Sequence, residues 1–156
     1  MMDNVTIKNA DIKSADYAAG FAAYTSGYGV DNNGPVNASH NFNNCKLVAS
    51  TIIGNGSTGG LIGHAGSNNA TTTRIKNFTL EGTNTIQCMG DDGNTYTAKK
   101  TGNIIGTANV GIVYIEGANI TAVDIGRFVP VDTGKLYING VEQDAQDSGF
   151  NTVKTN

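Results

Sequence analysis

A six-residue pattern that recurs along the chain restricts its fold more than any other feature. The pattern reads apolar residue, any residue, Asn or Gly, apolar residue, polar residue, Ile or Leu. Its four copies start 35, 33 and 40 residues apart and occupy residues 7–12, 42–47, 75–80 and 115–120. A unit of this length with two or three short strands cannot bury its apolar side alone, whereas stacked units share one core.

The residues around the pattern predict strands and turns rather than helices. Apolar runs are short, and Gly, Asn, Ser and Thr interrupt them; the chain has 21 glycines in 156 residues, well above the usual ~7%. We therefore predict an all-β fold, a short parallel β-helix (β-solenoid) of about four coils over residues 1–134. Residues 135–142 predict a hairpin with an Asn-Gly turn of type I′, and residues 135–156 are expected to form a C-terminal cap and tail.

Stacking of the copies predicts columns of like residues. Two inward columns are expected: Ile7, Phe42, Ile75 and Ile115 in one, and Ile12, Leu47, Leu80 and Ile120 in the other. Asn9, Asn44 and Asn77 tolerate the left-handed backbone of a sharp bend, and their amides would form a buried ladder of hydrogen bonds. Gly117 takes the bend without the ladder, so that end of the stack is expected to be tied less tightly. Cys45 is expected to be a small buried residue.

Two segments resemble a known family. Gly-Gly-Leu-Ile-Gly at 59–63, a spacer rich in Gly, Asn and Thr, and Ile-Lys-Asn-Phe-Thr-Leu at 75–80 resemble the GLUG-type repeat of large bacterial surface proteins, including those of gut Bacteroidetes. Phe-Asn-Asn-Cys at 42–45 resembles the second half of that repeat. The resemblance covers residues 4–130. It implies a right-handed parallel β-helix that is extracellular or on the cell surface, as part of a larger secreted protein with an adhesive role.

Charge and apolar patterning exclude several classes of protein. The net charge is −3 and ten Lys and Arg residues are spread thinly, so no basic stripe can neutralise a phosphate backbone and no nucleic-acid partner is expected. No stretch approaches the ~18 apolar residues of a membrane helix, so no membrane insertion is expected. The two cysteines, at 45 and 88, match no zinc-ligand spacing.

Motifs that resemble catalytic or metal sites are better interpreted as turns. Residues 54–59 form a GxGxxG pattern, but a strand-like run follows instead of the helix that a dinucleotide site needs. The acidic loops 31–34 and 91–94 lack the downstream Glu of a calcium loop. The predicted strands offer only Asp11, Glu116 and Asp124, with Arg127 nearby, as candidates for paired-carboxylate chemistry. We therefore assign no catalytic residue, metal or cofactor; a polysaccharide lyase or glycoside hydrolase on the same scaffold is the alternative.

A second signature lies between the copies of the first and predicts a binding surface. It occupies residues 20–23, 60–63, 103–106 and 127–129, and it places Tyr24, His64 and Thr107 in one line along a lateral edge. Tyr28 stands at the root of the loop beside that line. A tyrosine ring offers an apolar face to a sugar and a hydroxyl to its rim.

These observations together predict a function. We expect a structural or adhesive module that binds weakly through Tyr24, Tyr28 and His64. The expected partner is a cell-surface glycan or a host or bacterial surface protein.

Overall fold

The chain is all-β in a computed structural model that describes residues 1–26, 30–31, 34–35, 38–66, 71–90 and 100–156. The strands of the first half are β1 (Met2–Asp3), β2 (Thr6–Lys8), β3 (Asp11–Ser14), β4 (Ala18–Ala19), β5 (Ala22–Thr25), β6 (Val30–Asp31), β7 (Gly34–Pro35), β8 (Ala38–Asn43), β9 (Lys46–Val48), β10 (Thr51–Gly54), β11 (Thr58–Gly59), β12 (Ile62–Ala65) and β13 (Thr71–Lys76). Those of the second half are β14 (Thr79–Glu81), β15 (Thr85–Cys88), β16 (Thr101–Gly102), β17 (Ile105–Ala108), β18 (Ile112–Glu116), β19 (Ile125–Phe128), β20 (Lys135–Ile138) and β21 (Val141–Glu142). A 3-10 turn at Ala122–Asp124 precedes β19.

The strands form five sheets of parallel strands, which we name A to E. Sheet A contains β1, β8, β13, β18 and β20; sheet B contains β2, β9 and β14; sheet C contains β3, β10 and β15; sheet D contains β4, β11 and β16; sheet E contains β5, β12, β17 and β19. In its first three passages the chain visits the sheets in the order A to E, and the fourth passage has described strands only in sheets A (β18) and E (β19). We call each passage a round. Strands β6 and β7 pair only with each other, in antiparallel orientation. The prediction of an all-β chain with parallel pairing is confirmed, and the arrangement is consistent with a β-helix-like fold.

Part of the predicted core is confirmed by the strand register. Phe42, Ile75 and Ile115 occupy paired positions on β8, β13 and β18, and all three are buried. Leu47 pairs with Leu80 in sheet B, and Leu47 is also buried. Like residues therefore pack on like residues in successive rounds.

The predicted register of the first copy is wrong by five residues. Ile7 pairs with Leu47 rather than with Phe42, and the copy starts at Met2, which is the true partner of Phe42. Ile12 accordingly lies in sheet C, beside β10, and not in the column of Leu47.

The cause of this error is that each round contains two similar bends, five residues apart. The bend between sheets B and C contains Asn9, Ala49 and Gly82, whose φ angles are 55°, 46° and 66°. The other bend, between sheets A and B, contains Asn44 and Asn77. Asn9 resembles these two residues in type and in backbone conformation. The six-residue pattern therefore fits either bend, and the sequence pattern alone cannot distinguish them.

The prediction of a buried asparagine ladder is wrong: Asn9 lies at the other bend, and the bond that joins two asparagine side chains, from Asn77 to Asn44, is exposed. Asn4, Asn44 and Asn77 occupy the bend between sheets A and B with left-handed φ angles of 55°, 50° and 55°. The Asn77 amide donates to Asn44 Oδ1 at 3.1 Å, and the Asn44 amide donates to Asp3 Oδ1 at 3.3 Å. Both bonds are exposed to solvent, because side chains at this bend point away from the core.

The predicted fourth copy does not form a strand in sheet B. Strand β14 is the last in that sheet, and residues 117–121 contain no strand. Asn119 has a left-handed φ of 59°, which interrupts an extended segment. Ile120 therefore does not extend the column of Leu47 and Leu80, and a groove of about 410 Å³ opens beside it.

The predicted hairpin near the C-terminus is confirmed. Strands β20 and β21 pair in antiparallel orientation, with Ile138 opposite Val141. Asn139 and Gly140 between them have φ angles of 48° and 82°, as a type I′ turn requires. Strand β20 also pairs with β18 in parallel orientation, so the hairpin is continuous with sheet A.

Replacement of Leu47 by Asp should prevent folding, whereas Lys46→Asp should leave the protein folded. Leu47 is 0% exposed, and an unpaired carboxylate there costs several kcal/mol, a large part of a domain's stability. The Lys46 side chain is 36% exposed and pairs with Glu81, a surface contact whose loss costs about 1 kcal/mol or less. Thermal melting followed by circular dichroism compares the two variants, and equal melting temperatures would contradict the register.

Cys45 should react slowly with a thiol reagent in the native protein and rapidly after unfolding. Its thiol is free and buried, and burial raises the pKa of the Cys45 thiol. Both effects reduce access to the reactive thiolate. The time course of labelling with and without denaturant tests this, and a native rate equal to that of a cysteine peptide would show that the residue is not enclosed.

Candidate functional site

Four residues form a line across sheet E. Tyr24, His64 and Thr107 occupy paired positions on β5, β12 and β17, which confirms the predicted alignment. Arg127 on β19 pairs with Thr107 and is the fourth member of the line. This corrects the expected fourth copy of the second signature, because residues 123–126, and not 127–129, match residues 60–63.

Tyr17 joins the first two members of the line in a cluster of rings, which we call the aromatic cluster. The rings of Tyr17 and Tyr24 are stacked, with centroids 5.5 Å apart and planes 11° apart. The His64 ring lies 5.0 Å from Tyr17 and 5.2 Å from Tyr24 in tilted orientations. Tyr24 is 44% exposed, so the cluster reaches solvent. Tyr28, the third predicted site residue, lies outside the residues that the structure describes.

A second line of residues runs beside the first. Tyr17, Ser57 and Lys100 each directly precede a paired position on β4, β11 or β16. Each stands seven residues before a member of the first line. Sequence reasoning did not select Tyr17, and this constant spacing is the signal that identifies it.

A groove of about 260 Å³ lies between the two lines. Tyr17 and His64 line it in the first two rounds, and Lys100 and Arg127 line it in the later rounds. Asp16 adds an exposed carboxylate next to the aromatic cluster. The groove therefore has an aromatic end and a cationic end.

The floor of the groove consists of two hydroxyl groups that are held in place. The Ser57 hydroxyl donates to the Gly63 carbonyl at 2.7 Å and lies 2.9 Å from Thr107 Oγ1. Both side chains are buried. A Cβ atom at Gly106 would lie 2.5 Å from Ser57 Oγ, so only glycine at this position leaves room for the Ser57 hydroxyl.

Charged and amide groups occupy the cationic end. Arg127 Nη2 contacts Asp147 Oδ1 at 2.7 Å, and the Asp147 side chain is exposed. Arg127 Nε and Asn109 Oδ1 are buried, and within the described part of the chain neither has a hydrogen-bond partner. This end of the groove thus combines a guanidinium, an ammonium and an amide in a small space.

Burial lowers the pKa of the His64 imidazole below its ordinary value. The Arg127 cation lowers that pKa further, while a backbone hydrogen bond at Gly66 and the Asp16 carboxylate act in the opposite direction. His64 is therefore neutral at pH 7, with one ring nitrogen that donates and one that accepts. Burial also raises the pKa of Tyr17, and Asp16 adds to this effect.

Other residues that were considered for chemistry have local structural contacts. Asp124 Oδ2 accepts a hydrogen bond from the Thr121 amide at 2.7 Å. The glycine-rich segment 54–59 continues into β11 and β12 rather than a helix. Loop 91–94 lies outside the described residues, as do Asn32 and Asn33. Among the described residues, no group of three or more His, Cys, Asp or Glu side chains is placed to hold a metal ion.

No protein-family model, curated protein or solved structure matches this chain. Over the ranges that the structure describes, no helix has the length and apolar character needed to cross a membrane. The site is therefore interpreted from its own geometry.

The protein should lose stability as the pH falls below about 6.5, and His64→Gln should reduce that loss. Because the pKa of His64 is lower in the folded state, the unfolded chain binds the proton first. The stability that neutral His64 contributes is complete above the unfolded-state pKa and is lost as the pH falls through the folded-state pKa, by at most ~1.4 kcal/mol per pH unit. Urea unfolding of the wild type and of His64→Gln at about pH 7.5 and about pH 5 measures the change in the free energy of unfolding. The same change in both proteins would contradict a lowered pKa at His64.

Proposed function

We infer that this chain is a structural or adhesive module of a secreted or cell-surface bacterial protein that binds carbohydrate weakly at the groove. Its scaffold is a right-handed parallel β-helix of about four coils, closed at its C-terminal end by residues 135–156. The repeated passage through sheets A to E in one order supports this scaffold. The resemblance of residues 59–63 and 75–80 to GLUG-type repeats supports the surface location.

The aromatic cluster is the observation that carries the binding function. Tyr17 and Tyr24 are stacked on each other beside His64, and Tyr24 is 44% exposed. Stacked rings are already ordered before a ligand binds, so little side-chain entropy is lost on binding. An aromatic face suits the apolar C–H face of a pyranose, and the tyrosine hydroxyls suit its polar rim.

The rest of the groove supplies polar partners that match a sugar. Asp16 offers carboxylate oxygens as acceptors, and Lys100 and Arg127 offer donors, at the rim of the same groove. Neutral His64 offers both a donor and an acceptor. A sugar hydroxyl both donates and accepts, so this mixed set of groups fits a polyol better than a simple anion or cation.

The enzymatic alternative has weaker support. Glycoside hydrolysis uses two carboxyl groups across the scissile bond, whereas Asp16 is the one carboxylate that lines the groove among the described residues. Asp124 is hydrogen-bonded to Thr121, and Arg127 is paired with Asp147. The groups present support recognition of a glycan and not its cleavage.

Binding should be detected on an array of neutral and acidic oligosaccharides, and Tyr24→Ala should weaken it. Aromatic contacts contribute about 0.5–1.5 kcal/mol each, so the dissociation constant of the best-bound oligosaccharide should rise about twofold to twelvefold. Tyr17→Ala should have a similar effect, because it removes the ring on which Tyr24 is stacked. Titration calorimetry of the wild type and both variants, each checked by thermal melting, measures the effect.

Tyr114→Ala is the matched control. Tyr114 is stacked on Tyr137, with centroids 5.1 Å apart, but this pair lies on sheet A, away from the groove. The control variant should bind like the wild type. Unchanged binding by folded Tyr24→Ala, or loss of binding in Tyr114→Ala alone, would place the site elsewhere, and release of reducing ends from the oligosaccharide would favour the enzyme.

A further inference from the structure

Within the described part of the chain, one edge consists of strands that pair with a neighbour on one side only. Strands β1 to β5 are each the terminal strand of their sheet among the described residues, and we call this set the N-terminal edge. Its apolar side chains are less buried than their counterparts. Ile7 and Ile12 are half-buried, whereas their partners Leu47 and Ile52 are 0% exposed. Exposed strand edges of this kind are sites of pairing with another chain.

The opposite edge is covered in part by the chain itself. Strand β21 pairs with β20 in antiparallel orientation at the edge of sheet A. At the edge of sheet E, Phe128 and Gln146 exchange main-chain hydrogen bonds of 3.2 and 2.8 Å in a second antiparallel contact. Phe150 of this C-terminal segment is buried in the hydrophobic core. The two edges are thus different, and open strands of sheets A and E are found at the N-terminal edge.

In the described part of the chain, the main-chain N–H and C=O groups of β3 that face no partner strand belong to Asp11 and Lys13. The Ala10 carbonyl accepts from the Thr51 amide, and this pairs β3 with β10. Main-chain groups alternate in direction along a strand, so the N–H and C=O groups of Asp11 and Lys13 point to the free side. Consider a second copy of β3 that runs antiparallel to the first, with Ile12 opposite Ile12. Asp11 of each copy then lies opposite Lys13 of the other, and each of these two pairs is a hydrogen-bonded pair.

The charges around β3 have the same symmetry, although Asp3 on β1 has no counterpart in it. Residues 4–25 contain four charged side chains, Lys8, Asp11, Lys13 and Asp16. Their signs alternate along the chain. Lys8 and Asp16 lie four residues from Ile12 on either side, and Asp11 and Lys13 lie one residue from it. All four are exposed. Reversal of β3 about Ile12 therefore brings Asp11 opposite Lys13 at two places, while Lys8 on β2 and Asp16 beyond the end of β3 lie outside this strand pairing.

We propose that two copies of this chain associate through their N-terminal edges, with β3 of one copy antiparallel to β3 of the other around a two-fold axis at Ile12. The contact would satisfy the free main-chain groups of Asp11 and Lys13 and cover the half-buried Ile7 and Ile12. Because the same edge is used by both copies, the contact closes as a dimer and does not extend into a filament.

Sedimentation equilibrium of the wild-type chain should give a concentration-dependent mass that reaches twice the 16.2 kDa of one chain. Lys13→Asp or Asp11→Lys places like charges opposite each other at two places in the dimer, so each should raise the dissociation constant about tenfold or more. The double variant Asp11→Lys/Lys13→Asp keeps opposite charges opposite, and its dissociation constant should return close to that of the wild type.

Two further samples make the test specific. A mixture of the Asp11→Lys chain and the Lys13→Asp chain should dimerise better than either chain alone, because opposite charges then meet across the contact. Lys76→Asp makes the same charge change at an exposed position on β13, within sheet A, and should not alter the dissociation constant. A monomeric wild type, oligomers larger than a dimer, absence of rescue by the double variant, or an equal effect of Lys76→Asp would overturn the proposal; thermal melting excludes loss of fold as the cause.

Discussion

Main-chain hydrogen bonds between in-register parallel strands are the interaction on which the rest of this protein depends. They set the spacing between successive rounds of chain and place each residue beside its counterpart. In the interior, this register places Phe42 beside Ile75, and the two side chains pack in the core. At the surface, it places Tyr24 beside His64 and His64 beside Thr107. The core and the candidate site are therefore two results of one register.

The glycines directly before two copies of the second signature connect this register to the groove. A Cβ atom at Gly59 would lie 2.0 Å from the Ile62 carbonyl oxygen, and one at Gly102 would lie 2.0 Å from the Ile105 carbonyl oxygen. Ala19 holds the paired position in the first round. At Gly59 and Gly102, a side chain would meet the main chain where it turns from sheet D into sheet E. This close approach brings the line of Tyr17 next to the line of Tyr24. Gly59, which belongs to the segment that resembles the GLUG-type repeat, thus has a direct role in forming the groove.

The bends and the edges show where the regular pairing ends. Asn44 and Asn77 tolerate a left-handed backbone and also connect neighbouring rounds through their amides. At Gly117 the side-chain amide of Asn139 bonds to the main chain instead, donating to the Gly117 carbonyl and accepting from the Gly117 N–H at 3.0 Å each. The residues that follow Gly117 leave sheet B without a fourth strand. At the other edge, pairing ends at β3, whose alternating charges are complementary to their own reversed copy. Where the regular strand pairing ends, the surface therefore presents polar or charged groups in place of a further strand.

The sequence by itself determined that the chain forms short strands, that asparagine occupies bends, that residues 135–142 form an Asn-Gly hairpin, and that Tyr24 aligns with His64. These depend on local backbone preferences and on a pattern that repeats within a few residues. Only the tertiary structure decided the register of the first copy, because Asn9 and Asn4 occupy bends that look alike over six residues and differ only in which strands they join. It also decided that Tyr17 completes the site. Tyr17 and Tyr24 belong to different strand segments, and their rings meet only because the bend between sheets D and E brings those segments together.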